Sequence, residues 1–372
     1  MRFRYVYCDR YLEEIEMATD AMDRRILLSA LGGAAGIAVM SKIAQAGPLN
    51  PPAGPIASTG KTVQEIYDKI ARTDVGFAEP RIPVQSLLSS ATAQYVISQP
   101  GSYYLTGNIQ GAAGKNGIEI TANDVSLDLC GYAMIGGASS LSGVLASSTT
   151  ASLRISDGKL TGWGQRGIQT QAIRAAVLRD LIAANNGNEG FLLGDNHVCR
   201  NCIAVGNGNF GFESRENASY FGCAARQNGS GGFNAEFGSC IESCVAENNA
   251  FEGIRAAFES RIANCEVSFN GTAGISVSSN CLVEHNMSTG NQTGIRVEGS
   301  SVRVESNNCV GGGTGILAAS GGNLIIRNSS RAASTAFNFA AGNAYGPVVS
   351  VAGVGDITAV VNANHAWANF IY

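Results

Sequence analysis

GFLLGDNHVCRNCIAVGNGNF (190–210), GFESRENASYFGCAARQNGSG (211–231), GFNAEFGSCIESCVAENNAFE (232–252) and GIRAAFESRIANCEVSFNGTA (253–273) are four consecutive stretches of 21 residues. Each opens on Gly and a bulky apolar residue, as Gly190-Phe191, Gly211-Phe212, Gly232-Phe233 and Gly253-Ile254. Gly274-Ile275, Gly294-Ile295 and Gly315-Ile316 carry the pattern on, with one step shortened to 20. Two further columns run in phase at intervals of 21: Asn186, Asn207, Asn228, Asn249, Asn270 and Asn291, and Cys202, Cys223, Cys244 and Cys265. A fixed short period marks a stacked repeat, in which each unit buries its apolar face only against its neighbours. Inside one unit the apolar residues form three short patches, such as Ile254 with Ala256, then Ile262, then Cys265 with Val267. Alternation by two within a patch predicts strands. Three strands in about 21 residues, repeated in register, predict a triangular parallel β-helix, and the Leu signature of a horseshoe repeat is missing.

Outward from this core the unit persists but loosens. Gly117-Ile118, Gly143-Val144 and Gly167-Ile168 are separated by 26, 24 and 23 residues, which implies longer loops. Val125, Leu127 and Leu129 alternate cleanly as the inward side of a strand, and Tyr95 to Leu105 reads as two strands about Pro100-Gly101. The expectation is an all-β solenoid of about ten coils over residues 95–340. Residues 341–372, with His365, Trp367 and Phe370, are expected to close the carboxy-terminal end. At the other end Thr62 and Glu65 make a capping box for a short helix running to about Arg72, within an N-terminal cap over 61–94. Such a cap would cover strand edges that a bare terminal coil exposes.

Residues 1–46 read as an export signal. Arg24-Arg25 precedes an apolar run from Ile26 to Met40, and Ala44-Gln45-Ala46 offers small residues for cleavage. This is a twin-arginine type of signal, with Met22 as an alternative start, and it implies the twin-arginine export machinery as a partner and a periplasmic or secreted protein. The run is shorter than the ~20 residues a membrane span needs, so no stable span is expected in the mature chain. A Pro-rich linker follows at 47–60. Net charge is −4 with no basic stripe, which argues against nucleic acid.

Ten cysteines in an exported chain usually mean disulfides, but four of them share one repeat position, which favours a ladder of buried thiols. Neighbouring coils about 4.8 Å apart leave bridges geometrically open. Cys199 with Cys202 and Cys240 with Cys244 have no second pair or histidine cluster to complete a zinc site, so no metal and no cofactor is expected. The Asn column, ending each coil before a turn, is expected to bond to the coils above and below and to take up left-handed turn geometry.

The Gly-[Ile/Phe] and Asn columns, with Gln99-Pro100-Gly101-Ser102-Tyr103-Tyr104-Leu105, make the chain resemble the pectin-lyase-like superfamily of right-handed parallel β-helices. Together with Arg24-Arg25, residues 22–372 look most like the twin-arginine-translocated repetitive proteins, a family without established catalytic residues. The resemblance implies a right-handed helix. It also implies either action on polysaccharide, as in the superfamily's lyases, glycosidases and epimerases, or a non-catalytic structural or adhesive part. A shared fold does not choose between these.

No Asp pair on adjacent coils, no Ser/His/Asp arrangement and no acidic cluster for calcium stands out. The best candidates are the outward rows after each Gly: Glu213, Asn234, Arg255, Ser276 and Arg296, then Arg215, Glu236, Ala257, Ser278 and Glu298. Glu213 and Glu236 would lie roughly 8 Å apart, from ~6.6 Å along the strand and ~4.8 Å between coils, a separation suited to an inverting acid–base pair. Arg215, Asn234 and Arg255 would bind substrate beside them, or Glu213, Arg215, Glu236 and Arg255 would simply neutralise one another as surface ion pairs. Trp163 and Arg166, in a loop of an earlier coil, could stack on and bind a sugar ring, Trp163 if it is exposed. The expectation is an exported β-helix that binds, and in one version cleaves or epimerises, a cell-envelope or extracellular polysaccharide. Its rival is a non-enzymatic structural or adhesive β-helix meeting an envelope protein or surface.

Overall fold

A computed structural model describes residues 81–147, 152–332 and 334–372. The signal with Arg24, Arg25, Ala44 and Ala46, the linker and the helix expected from Thr62 lie outside the described residues. Three strands and three corners make one regular coil. In the coil from Gly211 the strands are Phe212–Ser214 on face 1, Ser219–Phe221 on face 2 and Ala224–Arg226 on face 3. Each pairs in parallel with the residue 21 further on: Phe212 with Phe233, Tyr220 with Ile241, Ala225 with Ala246. The sequence columns are therefore physical columns, and the chain is an all-β parallel β-solenoid whose arrangement fits a right-handed β-helix.

Face 1 is a 12-stranded sheet from Ala93–Ile97 to Thr335–Phe339, so at least twelve coils are stacked rather than ten. The shortfall came from the ends, where looped-out insertions and a weaker Gly signal hide coils that still pair in register. Faces 2 and 3 count as one 24-stranded sheet, because Leu153–Thr161 and Ala176–Ala184 run through the corner between them as single 9-residue strands.

Each corner is turned by a residue with left-handed backbone. Asn217, Gly222 and Gln227 serve one coil, and Gly238, Ser243 and Asn248 the next. This corrects the expectation for the Asn column. The left-handed position is the residue just before it (Asn185, Gly206, Gln227, Asn248, Phe269), and the Asn is a hydrogen-bonding post. Asn207 Nδ2 donates to Asn228 Oδ1 at 3.0 Å and to the carbonyl of Ala183 at 3.1 Å, while Asn207 N donates to the same Asn228 Oδ1 at 3.1 Å. The pattern repeats from Asn186 to Asn270, so each buried amide links three coils. The Gly column follows from this ladder. A Cβ on Gly211 would come 2.8 Å from Asn228 Nδ2 and 2.8 Å from the carbonyl of Gly232, closer than real contacts allow.

The core is filled by columns of like residues. Phe191, Phe212 and Phe233 stack with centroids 4.7 and 4.8 Å apart, and Tyr220 packs edge-on against the last two. The four column cysteines are buried free thiols, as are Cys199, Cys281 and Cys309; burial pushes the Cys309 thiol up to about 12. At Cys265 the column changes chemistry. Asn286 takes the next place and accepts from Cys265 N at 2.9 Å, and Asn307, Asn328 and Asn369 continue a second amide ladder.

The carboxy-terminal end closes by insertion. Asn369–Ile371 pairs on one side with Ser329–Arg331 and on the other with Val348–Ser350, so the last strand slots between two earlier ones. Among the described residues no helix is long and apolar enough to cross a membrane.

Candidate functional site on face 1

Alternation on face 1 turns Phe212 and Ser214 inward and Glu213 outward, giving a buried, half-buried, buried pattern. The register then lines up Gln169, Leu192, Glu213, Asn234, Arg255, Ser276 and Arg296 as one row on the outer side of the strands, in which Leu192 and Ser276 are themselves buried. The turn that precedes each Gly leads into this row. It delivers Arg166 and Glu189 one coil apart, immediately before Gly167 and Gly190.

These residues form a connected polar cluster. Glu189 is only 4% exposed, and its carboxylate is held by Arg166 Nε at 2.6 Å and by Asn209 Nδ2 at 2.6 Å. Arg166 also reaches Gln169 Oε1 at 3.4 Å. Glu213 accepts from Asn234 Nδ2 at 3.3 Å, and among the described residues it has no ion-pair partner. Burial of Glu213 raises its pKa from the ordinary carboxylate value. Glu189 adds to the shift and Glu236 adds less, while the Asn234 amide and Arg166 oppose it. Glu213 thus holds its proton more tightly than a free carboxyl does, beside the buried Glu189 that Arg166 pairs.

The residues expected from sequence divide into three groups. Glu213, Asn234 and Arg166 come together, with Asn234 serving Glu213 directly. Arg255 lies exposed in the row and Arg215 and Glu236 lie exposed beside it, and the surface ion pairing foreseen for them and Glu213 is not formed among the described residues. Trp163 is a correction. It is 1% exposed, inside the core, with Nε1 donating to the carbonyl of Met134 at 3.1 Å, so it cannot stack on a ligand. The core of an early, wide coil has room for an indole, and a Trp there removes a large apolar area from water.

Sequence reading missed Glu189 and Asn209. The available signal was the placement of opposite charges, Arg166 and Glu189, at the same position before consecutive Gly residues. It also missed an exposed aromatic pair where face 1 turns into its corner. Phe237 and Phe258 are 46% and 39% exposed, and their rings stack with centroids 5.0 Å apart, directly after Glu236 and Ala257.

No family model and no curated protein matches the chain. Several solved structures are similar to it. The A-module of mannuronan C-5 epimerase AlgE4 from Azotobacter vinelandii is 15% identical over 71% of this chain and 100% of that one, with a TM-score of 0.46. The Agl-KA catalytic domain is 13% identical over 78% of this chain and 66% of its own, with a TM-score of 0.49. The periplasmic alginate epimerase AlgG is 14% identical over 83% and 81%, with a TM-score of 0.41.

Proposed function

We propose that face 1 binds a polysaccharide along its outward row and that Glu213 supplies acid–base chemistry to it, with Glu236 as the partner carboxylate. The observation that carries this reading is the state of Glu213, half-buried, without an ion-pair partner among the described residues, and pushed up by burial and by Glu189. A carboxyl that holds its proton more tightly than usual is suited to protonating a leaving glycosidic oxygen. Glu236, exposed one coil on and two residues along, lies at the ~8 Å spacing that leaves room for a water between acid and base. The stacked Phe237 and Phe258 offer apolar surface to the C–H side of a sugar ring at the same rim. A straight row repeating every ~4.8 Å suits a linear polymer better than a compact metabolite. The pectin-lyase-like resemblance and the Arg24-Arg25 signal support a periplasmic or secreted place of action and delivery by the twin-arginine machinery.

The test is release of reducing ends, or of unsaturated uronate, from a panel of acidic and neutral glycans. Glu213→Gln should lower the rate by roughly 100-fold or more. Its melting temperature should not fall, since the substitution removes a carboxylate that folding disfavours. The wild-type rate should drop on the alkaline side as Glu213 loses its proton. A silent wild type across the whole panel sinks the catalytic reading. A structural or adhesive role is then left, and the exposed Phe221, Phe251 and Phe269 on other corners are the surface that favours it.

A further inference from the structure

A second groove lies far from Glu213, where the last coils of face 2 meet the carboxy-terminal segment. It encloses about 460 Å³ and is lined by Arg303, Leu324, Tyr345, His365 and Trp367 among others. The register places it beyond Arg296, which is four coil steps and so roughly 19 Å along the stack from Glu213. Trp367 and Tyr345 are 45% and 55% exposed, unusual for large rings that could have been tucked into the cap. The Arg327 guanidinium sits 4.6 Å over the Trp367 ring, yet Arg327 does not line the groove, so it backs the indole and leaves the other side open. Arg327 is fixed there by donating to the carbonyl of Ala366 at 2.9 Å and to Glu305 at 2.8 Å. His365 Nδ1 accepts from Trp367 N at 3.2 Å, which fixes Nε2 as a donor.

Among the described residues, Arg303 and Arg327 at this end share the one buried carboxylate of Glu305, while Glu242 and Glu284 further back share Arg261. An open aromatic face offers a surface for the C–H side of a pyranose, and the Arg303 guanidinium next to it, sharing Glu305 with Arg327, favours a carboxylate on that ring. The volume falls within the ~300–1,000 Å³ of small-ligand sites. We propose that this groove is a separate binding subsite for a uronate residue of an acidic glycan, with Trp367 and Tyr345 as the stacking surface and Arg303 as the carboxylate partner. It needs no chemistry from Glu213 and would hold a glycan chain to the protein whether or not face 1 cleaves it.

Tetragalacturonate and hexamannuronate, with cellohexaose as the neutral control, are titrated into the full mature chain by calorimetry. Trp367 fluorescence is followed in parallel, since the only other indole, Trp163, is buried. At least one uronide is expected to bind and perturb the fluorescence, weakening as salt rises, with cellohexaose at least 10-fold weaker. Trp367→Ala and Arg303→Gln should each cost 10-fold or more in affinity. Trp367→Phe, which keeps an aromatic face and serves if the alanine variant does not fold, should cost only a few-fold. Glu213→Gln should leave binding at the groove unchanged, which separates this subsite from the chemistry on face 1. The proposal is overturned if neither uronide binds, if cellohexaose binds as well, or if uronide affinity is unchanged in Trp367→Ala or Arg303→Gln.

Discussion

His197 shows how one buried side chain sets a pH limit on this stack. It is 0% exposed, with Nε2 3.0 Å from Thr170 Oγ1 and Nδ1 3.0 Å from the carbonyl of Asp195. The carbonyl can only accept, so Nδ1 carries the proton and Nε2 receives the threonine hydroxyl. Burial lowers its pKa from 6.5 to about 4. Because the folded state holds the neutral ring, stability is complete above the unfolded value and falls as pH drops from 6.5 toward 4. The expected loss is about 3 kcal/mol, read as a lower denaturant midpoint. His197→Gln should flatten that window, and an unchanged slope between pH 6.5 and 4 in the variant would show that another group carries it. Nothing in the sequence marked His197 for this, since its repeat position differs from those of His285 and His365. Glu213, by contrast, was legible as an outward residue from the Gly register. Its raised pKa was not, because that depends first on how deeply the folded coil buries it and then on Glu189 approaching from the preceding turn.

At the scale of one element, the amide ladder is the feature most open to test. Asn228 Oδ1 accepts from both Asn207 N and Asn207 Nδ2, and the whole rung is buried. Asn228→Ala strands two buried donors and should destabilise the chain by about 2–4 kcal/mol in chemical denaturation. Cys223→Ala, one face away, removes only a thiol that bonds weakly to the carbonyls of Cys199 and Phe221, and should cost clearly less. Equal losses would mean that the asparagines act only by filling space. Both columns were visible in the sequence as a period of 21. What the period could not give was the second ladder. Asn286, Asn307 and Asn328 keep the phase of the cysteines, but a change of residue type breaks a column read by identity. The left-handed corners were hidden for a similar reason. Gln227, Ser243 and Phe269 turn corners that Gly or Asn turns elsewhere, because stacking on both sides holds a backbone those residues would not choose alone.

For the molecule as a whole, stability in a stack is a sum over neighbouring coils, and the ends decide whether it stays monomeric. Asn369–Ile371 covers the edge of Ser329–Arg331, and Asn369 Oδ1 accepts from Asn328 N at 3.0 Å and from Asn328 Nδ2 at 3.1 Å. A chain ended after Ala368 should melt at lower temperature and self-associate through the bared edge, measured by light scattering. A monomer with unchanged melting would show that the last strand is dispensable. The sequence by itself determined that this is a parallel β-stack, which residues lie atop one another and which side of each strand faces out. Those follow from local periodicity, since every coil meets only the copy of itself one period away. Only the tertiary structure decided the coil count, the burial of Trp163, the meeting of Arg166, Glu189 and Glu213, and the groove at Trp367. Each of these depends on where irregular turns and the returning carboxy-terminal strand come to rest, and contacts between segments that share no period leave no repeat to read.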